Sequence, residues 1–166
     1  GSQQIGARPL PPQVELSWWY QFYFATARGE AGYRQNTRDF AQLIWHQASP
    51  GCAFSEAEFA QSAKALTNPD HVAVTISNYR WRLGIDKGEQ KYAAYEQKLA
   101  LLPTIAVPTI TLEGDNNGAP HPTPESYRAK FSGKYEHRTL TGNIGHNLPQ
   151  EDPADFVKAV VDADRL

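Results

Sequence analysis

Residues 135–151 read YEHRTLTGNIGHNLPQE, and the reading of this stretch decides the fold. Tyr135 to Leu140 reads as a short strand. The Gly-rich loop that follows carries Gly142-Asn143-Ile144-Gly145-His146-Asn147-Leu148-Pro149-Gln150-Glu151 and leads to an amphipathic helix predicted over about 153–164. A histidine flanked by glycine between a strand and a helix can swing its imidazole over the carboxyl edge of a sheet. That edge is where open α/β folds place their sites.

Working outward toward the N-terminus, Thr104 to Leu112 (TIAVPTITL) is β-branched and almost wholly apolar, the pattern of a strand buried on both faces. Pro108 demotes its first half and confines the strand to about 109–112. The loop Leu112-Glu113-Gly114-Asp115-Asn116-Asn117-Gly118 offers an acid that could orient the histidine. A short helix over 124–131 separates the two strands, and strand–helix–strand–helix is the logic of a parallel α/β sheet. Two strands are too few for an independently stable sheet, so the C-terminal third reads as the end of a larger one.

Upstream of Leu102 the apolar period is helical. Helices are predicted over about 14–27, ended by Gly29 and Gly32, and over 33–47, 55–66, 69–83 and 89–101. The first carries Trp18, Trp19, Tyr20, Phe22, Tyr23 and Phe24, which implies burial on several faces or a cavity wall. Ser55 and Glu58 have the spacing of a capping box. Pro69 suits the first turn of its helix. The expected organisation is a linker or tag remnant over 1–13, a helical domain over 14–102 and an α/β segment over 103–166.

The chain has 166 residues, 16 Lys plus Arg against 18 Asp plus Glu, and 40% hydrophobic residues. This composition suits a folded domain, and no basic cluster suggests a nucleic-acid or membrane partner. No apolar run approaches the about 18 residues of a membrane span. The single cysteine, Cys52, excludes an intrachain disulfide and points to a reducing, cytoplasmic setting. No histidine pair shares a helix at metal-ligand spacing with a carboxylate, so neither a metal nor another cofactor is expected. His71, His121 and His137 read as surface residues and His46 as a helix-face residue. The absence of methionine implies that the chain is a processed or excised piece of something longer.

The order of acid loop, then histidine loop, behind a helical insertion resembles the C-terminal half of the α/β-hydrolase fold. Within that fold the chain is similar to the epoxide hydrolase and haloalkane dehalogenase group. Trp19-Tyr20-Gln21-Phe22-Tyr23-Phe24 is similar to the first cap-helix motif of soluble epoxide hydrolases, and Asn78-Tyr79-Arg80 resembles their later cap motif. The resemblance covers roughly residues 14–164. It implies an α/β fold consisting of a helical cap followed by the last two strands and helices of a parallel sheet. It also implies that Tyr20 and Tyr79 hydrogen-bond an epoxide oxygen, with Trp19 as cavity wall, and that His146 is the catalytic histidine. The acid position is open. Counting from Val107-Pro108 it falls on Asn117, whereas counting from the loop tip favours Asp115.

The family's nucleophile elbow and oxyanion loop have no counterpart in these residues. The expectation is therefore that a complementary N-terminal half supplies them, that the chain alone is inactive, and that without that half it self-associates. The substrate implied is small and apolar: an epoxide, a halide or an ester. Two other readings stay open. One is a serine hydrolase of the same fold, and the other is a non-catalytic helical module whose aromatic residues hold a ligand or partner. On that second reading Tyr20 and Tyr79 are core packing and Asp115 is a turn acid capping its own backbone.

Overall fold

The computed structural model describes residues 8–166. Gly1, Ser2 and the first part of the linker expected over 1–13 lie outside the described residues. The chain divides into two compact units, one built from residues 8–44 and 54–101, the other from 45–53 and 102–166.

In the first unit α1 (Pro12–Ser17) begins with a proline, where the missing N–H leaves no bond unmade. Trp18, at φ −104° and ψ 13°, separates it from α2 (Trp19–Phe24). The predicted stop at Gly29 and Gly32 is not where the helix ends. The break is at Thr26, whose backbone is extended and whose Oγ1 accepts the Gly29 N–H at 2.9 Å, capping α3 (Ala27–Gln35). Both glycines lie inside α3. A Cβ on Gly29 would fall 1.7 Å from the Tyr23 carbonyl oxygen, so glycine there lets α3 close onto the end of α2.

The remaining helices are α4 (Thr37–Ala48), α5 (Glu56–Ala63), α6 (His71–Arg82) and α7 (Ala93–Ala100), with 3-10 turns at Lys64–Thr67 and Gln90–Tyr92. The capping box forms as its spacing predicts. Ser55 Oγ accepts the Glu58 N–H at 3.2 Å, and Glu58 Oε2 accepts the Ser55 N–H at 2.7 Å. Pro69 stays outside α6, because Asn68 Oδ1 accepts the Asp70 N–H at 2.9 Å and closes a turn there. Phe24, Tyr33 and Ile76 form the buried centre of this unit, with Tyr20, Tyr23, Phe40, Val72 and Tyr79 packed on it. His71 is half-buried rather than free at the surface, since its Nε2 shares a 2.8 Å hydrogen bond with the Tyr33 hydroxyl.

In the second unit β1 (Thr109–Gly114) and β2 (Tyr135–Leu140) pair in parallel, Thr109 opposite Tyr135 and Gly114 opposite Leu140. The crossover runs through α8 (Pro124–Tyr127) and a 3-10 turn at Arg128–Lys130. β1 extends two residues past its predicted end, and its first five residues are half-buried instead of enclosed on both faces. A one-turn helix absent from the sequence reading, α9 (Leu148–Glu151), precedes α10 (Pro153–Ala163), which Asp152 caps through the Asp155 N–H at 3.2 Å. Arg138 of β2 ties the sheet to α10 through Asp162 at 2.7 Å. His137, also expected at the surface, is half-buried with Nδ1 3.0 Å from Thr111 Oγ1. The described residues are thus mostly helical with a two-stranded parallel sheet, consistent with an α/β class. Among the described residues, no helix is long and apolar enough to cross a membrane.

Candidate active site

β1 and β2 end side by side, and the loops leaving their carboxyl ends hold the residues singled out by the sequence. Gly114 is buried at the end of β1. A Cβ there would lie 2.3 Å from the Ile144 carbonyl oxygen and 2.4 Å from that of Gly145, so only glycine lets the strand end meet the second loop. The Ile144 carbonyl in turn accepts the Asn116 N–H at 2.8 Å. Gly142 and Asn143 take positive φ, 120° and 70°, residue types that tolerate this geometry.

Asp115 is committed to the backbone of that loop. Its Oδ2 accepts the Gly142 N–H at 3.0 Å and its Oδ1 the Ile144 N–H at 2.8 Å. The Gly142 donor, followed by Ile144, holds the carboxyl below its ordinary value. Asn117 is the residue that reaches the imidazole, with Oδ1 3.1 Å from His146 Nδ1. The Ala119 N–H donates to the same Oδ1 at 3.0 Å, which fixes that end of the amide as oxygen. An amide oxygen only accepts, so His146 Nδ1 carries the proton and donates it, leaving a lone pair on Nε2. Of the two open positions, then, the structure brings Asn117 to His146 and gives Asp115 to the loop.

The main chain around His146 is held from two further sides. Glu151 Oε2 accepts the Gly145 N–H at 2.7 Å and Oε1 the Asn147 N–H at 2.9 Å. Between them the His146 N–H donates to Ser49 Oγ at 2.9 Å. The sequence reading quoted Glu151 within the loop motif without giving it a role at the site, and missed Ser49 altogether. Nothing local signals Ser49, which lies 97 residues from its partner. The His146 residue itself is exposed.

In the other unit Tyr20 of α2 and Tyr79 of α6 meet edge to face, ring centroids 5.7 Å apart at 90°. Burial pushes the Tyr79 phenol up to about 12; the charge of neighbouring Tyr20 adds to this and the guanidinium of Arg82, 5.5 Å over the ring, opposes it. Tyr79 therefore remains a neutral O–H donor at any ordinary pH. Trp19 lies 6.4 Å from Tyr20 and 5.6 Å from Phe40, centroid to centroid, within the same aromatic cluster. Among the described residues, no group of three or more His, Cys, Asp or Glu could hold a metal ion.

No family model and no curated protein matches the chain. Among solved structures it is similar to the crystal structure of a "putative epoxide hydrolase" from Klebsiella pneumoniae subsp. pneumoniae MGH 78578, at 77% sequence identity and a TM-score of 0.98. The match covers 100% of this chain and 55% of that one, so the chain spans about half the length of the Klebsiella protein.

Proposed function

We propose that the chain is the cap and C-terminal part of an α/β-fold epoxide hydrolase acting on a small apolar epoxide. The observation that carries the reading is the pairing of two phenols, Tyr20 and Tyr79, with centroids 5.7 Å apart. Two neutral O–H donors suit one developing alkoxide, which needs a proton as well as hydrogen bonds; a departing halide needs hydrogen bonds alone, and the charge of a serine ester's intermediate develops at its carbonyl oxygen instead. The likeness to the Klebsiella protein supports the same choice.

On this reading a carboxylate supplied by the complementary half attacks one epoxide carbon and the C–O bond breaks. The freed oxygen takes a proton from one phenol, and an ester joins substrate to enzyme. Water then attacks the ester carbonyl while its proton passes to His146 Nε2, the nitrogen left free by the Asn117 contact. The tetrahedral intermediate collapses, the second proton of the water passes to the departing alkoxide to complete the diol, the carboxylate is restored, and the proton held by His146 returns through solvent to the phenolate. Asn117 sets the tautomer of the base without adding a counter-charge to the imidazolium. A reducing cytoplasmic setting suits Cys52, the single cysteine of the sequence, which forms no disulfide.

Complementation tests the proposal. The chain is co-expressed with the part of the Klebsiella protein that it does not match, and the complex is assayed with an alkyl epoxide, a chloroalkane and an alkyl ester. Diol formation from the epoxide is expected. Tyr20→Phe and Tyr79→Phe should each slow ring opening about 10²-fold, the usual effect of losing one preorganised donor to a developing anion. Turnover of the chloroalkane or ester alone, or full epoxide turnover in both Phe variants, refutes the assignment.

A further inference from the structure

We infer that Ser49 is a positioning residue for His146, so that the end of α4 belongs to the histidine site. Ser49 has no exposed surface, unusual for a hydroxyl-bearing residue. Its main chain is fixed on both sides: the Ser49 N–H donates to the Trp45 carbonyl at 2.9 Å, and its own carbonyl accepts the Cys52 N–H at 3.1 Å. The Oγ is thereby anchored, and it accepts two donors from the histidine loop, the His146 N–H at 2.9 Å and Asn147 Nδ2 at 3.3 Å. The fit is close. A Cβ on Gly145 would stand 2.5 Å from Ser49 Cα, so the glycine before the histidine is what admits Ser49.

Three successive amides, 145 to 147, are thus taken by Glu151, Ser49 and Glu151 in turn. With its neighbours' peptide planes fixed, His146 has its Cα–Cβ direction set by the backbone, and its ring meets Asn117 at 3.1 Å. Glu151 lies five residues from His146 and constrains the loop against itself. Ser49 ties it to a distant part of the chain, and that second fixed point determines where the loop stands. The inference rests on the proposed role of His146 as base, but its test needs no turnover.

The test reads the tautomer of His146 in the ¹⁵N-labelled 166-residue chain by long-range ¹H–¹⁵N correlation. A His146→Gln variant identifies its signals among the five histidines. The Nδ1–H form should dominate in the unaltered chain. In Ser49→Ala and in Ser49→Cys, which keeps the shape but has a poor acceptor, the ratio of Nδ1–H to Nε2–H should fall about fivefold, the equivalent of about 1 kcal/mol. The other four histidines should keep their ratios. If both variants retain the original ratio, whatever happens to Tm, Ser49 only packs and the inference is overturned. If Ser49→Ala does not fold, Ser49→Cys decides by the same criterion. An unaltered chain whose His146 lacks the Nδ1–H form also overturns it. Conversely, a fall of the ratio in both Ser49 variants, together with no turnover by the unaltered complemented protein, would count against the hydrolase reading and leave this inference standing.

Discussion

Replacing Tyr79 by phenylalanine should remove a specific part of the chain's alkaline sensitivity. The Tyr79 phenol is raised from 10.0 to about 12, chiefly by burial. Between these two values the unfolded chain has lost the proton while the folded chain still binds it, so stability falls as pH rises. Below the lower value both states hold the proton and the effect vanishes. Two pKa units correspond to at most about 2.7 kcal/mol. Tyr79 is only half-buried, and solvent screening reduces the usable figure to about 1–2 kcal/mol. Urea midpoints followed by far-UV circular dichroism at about pH 9 and about pH 11.5 read this directly. The unaltered chain should lose about 1–2 kcal/mol more than Tyr79→Phe between those conditions. Tyr33, also raised by burial, is present in both proteins, so the comparison isolates the Tyr79 hydroxyl together with its coupling to Tyr33. Equal alkaline losses in the two chains would mean that the phenol is not desolvated, and the case for a protected neutral donor would fail.

Gly114→Ala should be severe, because its Cβ would meet two backbone oxygens at 2.3 and 2.4 Å and neither can rotate away. A loss of about 3 kcal/mol or more is expected from the forced separation of the strand end and the histidine loop. A urea midpoint within error of the unaltered chain would refute that packing. Ser55→Ala should cost about 1 kcal/mol through the lost cap of α5, while Ser55→Asp should recover most of it. Alone, the 166-residue chain should self-associate, since Val107, Val157 and Val160 are exposed and the sheet has two strands among the described residues. Sedimentation showing a monodisperse monomer would contradict this.

What the sequence made legible was local. The capping box at Ser55 and Glu58 is a three-residue device and forms as read. The strand over Tyr135–Leu140, and the loop pair that follows each strand, needed only period and glycine content. What it concealed depends on distant backbone. Gly29 reads as a helix stop unless the carbonyl of Tyr23 is known to stand against it. Spacing alone could not choose between Asp115 and Asn117. The choice follows from the amides of Gly142 and Ile144, which occupy Asp115 and leave Asn117 at the imidazole. His71 and His137 carry no sequence sign of the Tyr33 and Thr111 hydroxyls that hold them. Ser49 precedes a Pro-Gly turn and looks like punctuation, yet it anchors the histidine loop.

The proposed division of labour separates ring opening from ester hydrolysis, and one measurement addresses it. The complemented protein carrying His146→Gln is mixed with excess epoxide and its subunits are weighed by intact-mass spectrometry. If His146 activates water only in the second step, opening still occurs. The complementary half should then gain the mass of one substrate stoichiometrically while diol formation falls by about 10³-fold or more. Normal diol turnover in this variant, or an inactive but folded complex that gains no mass, would contradict the account.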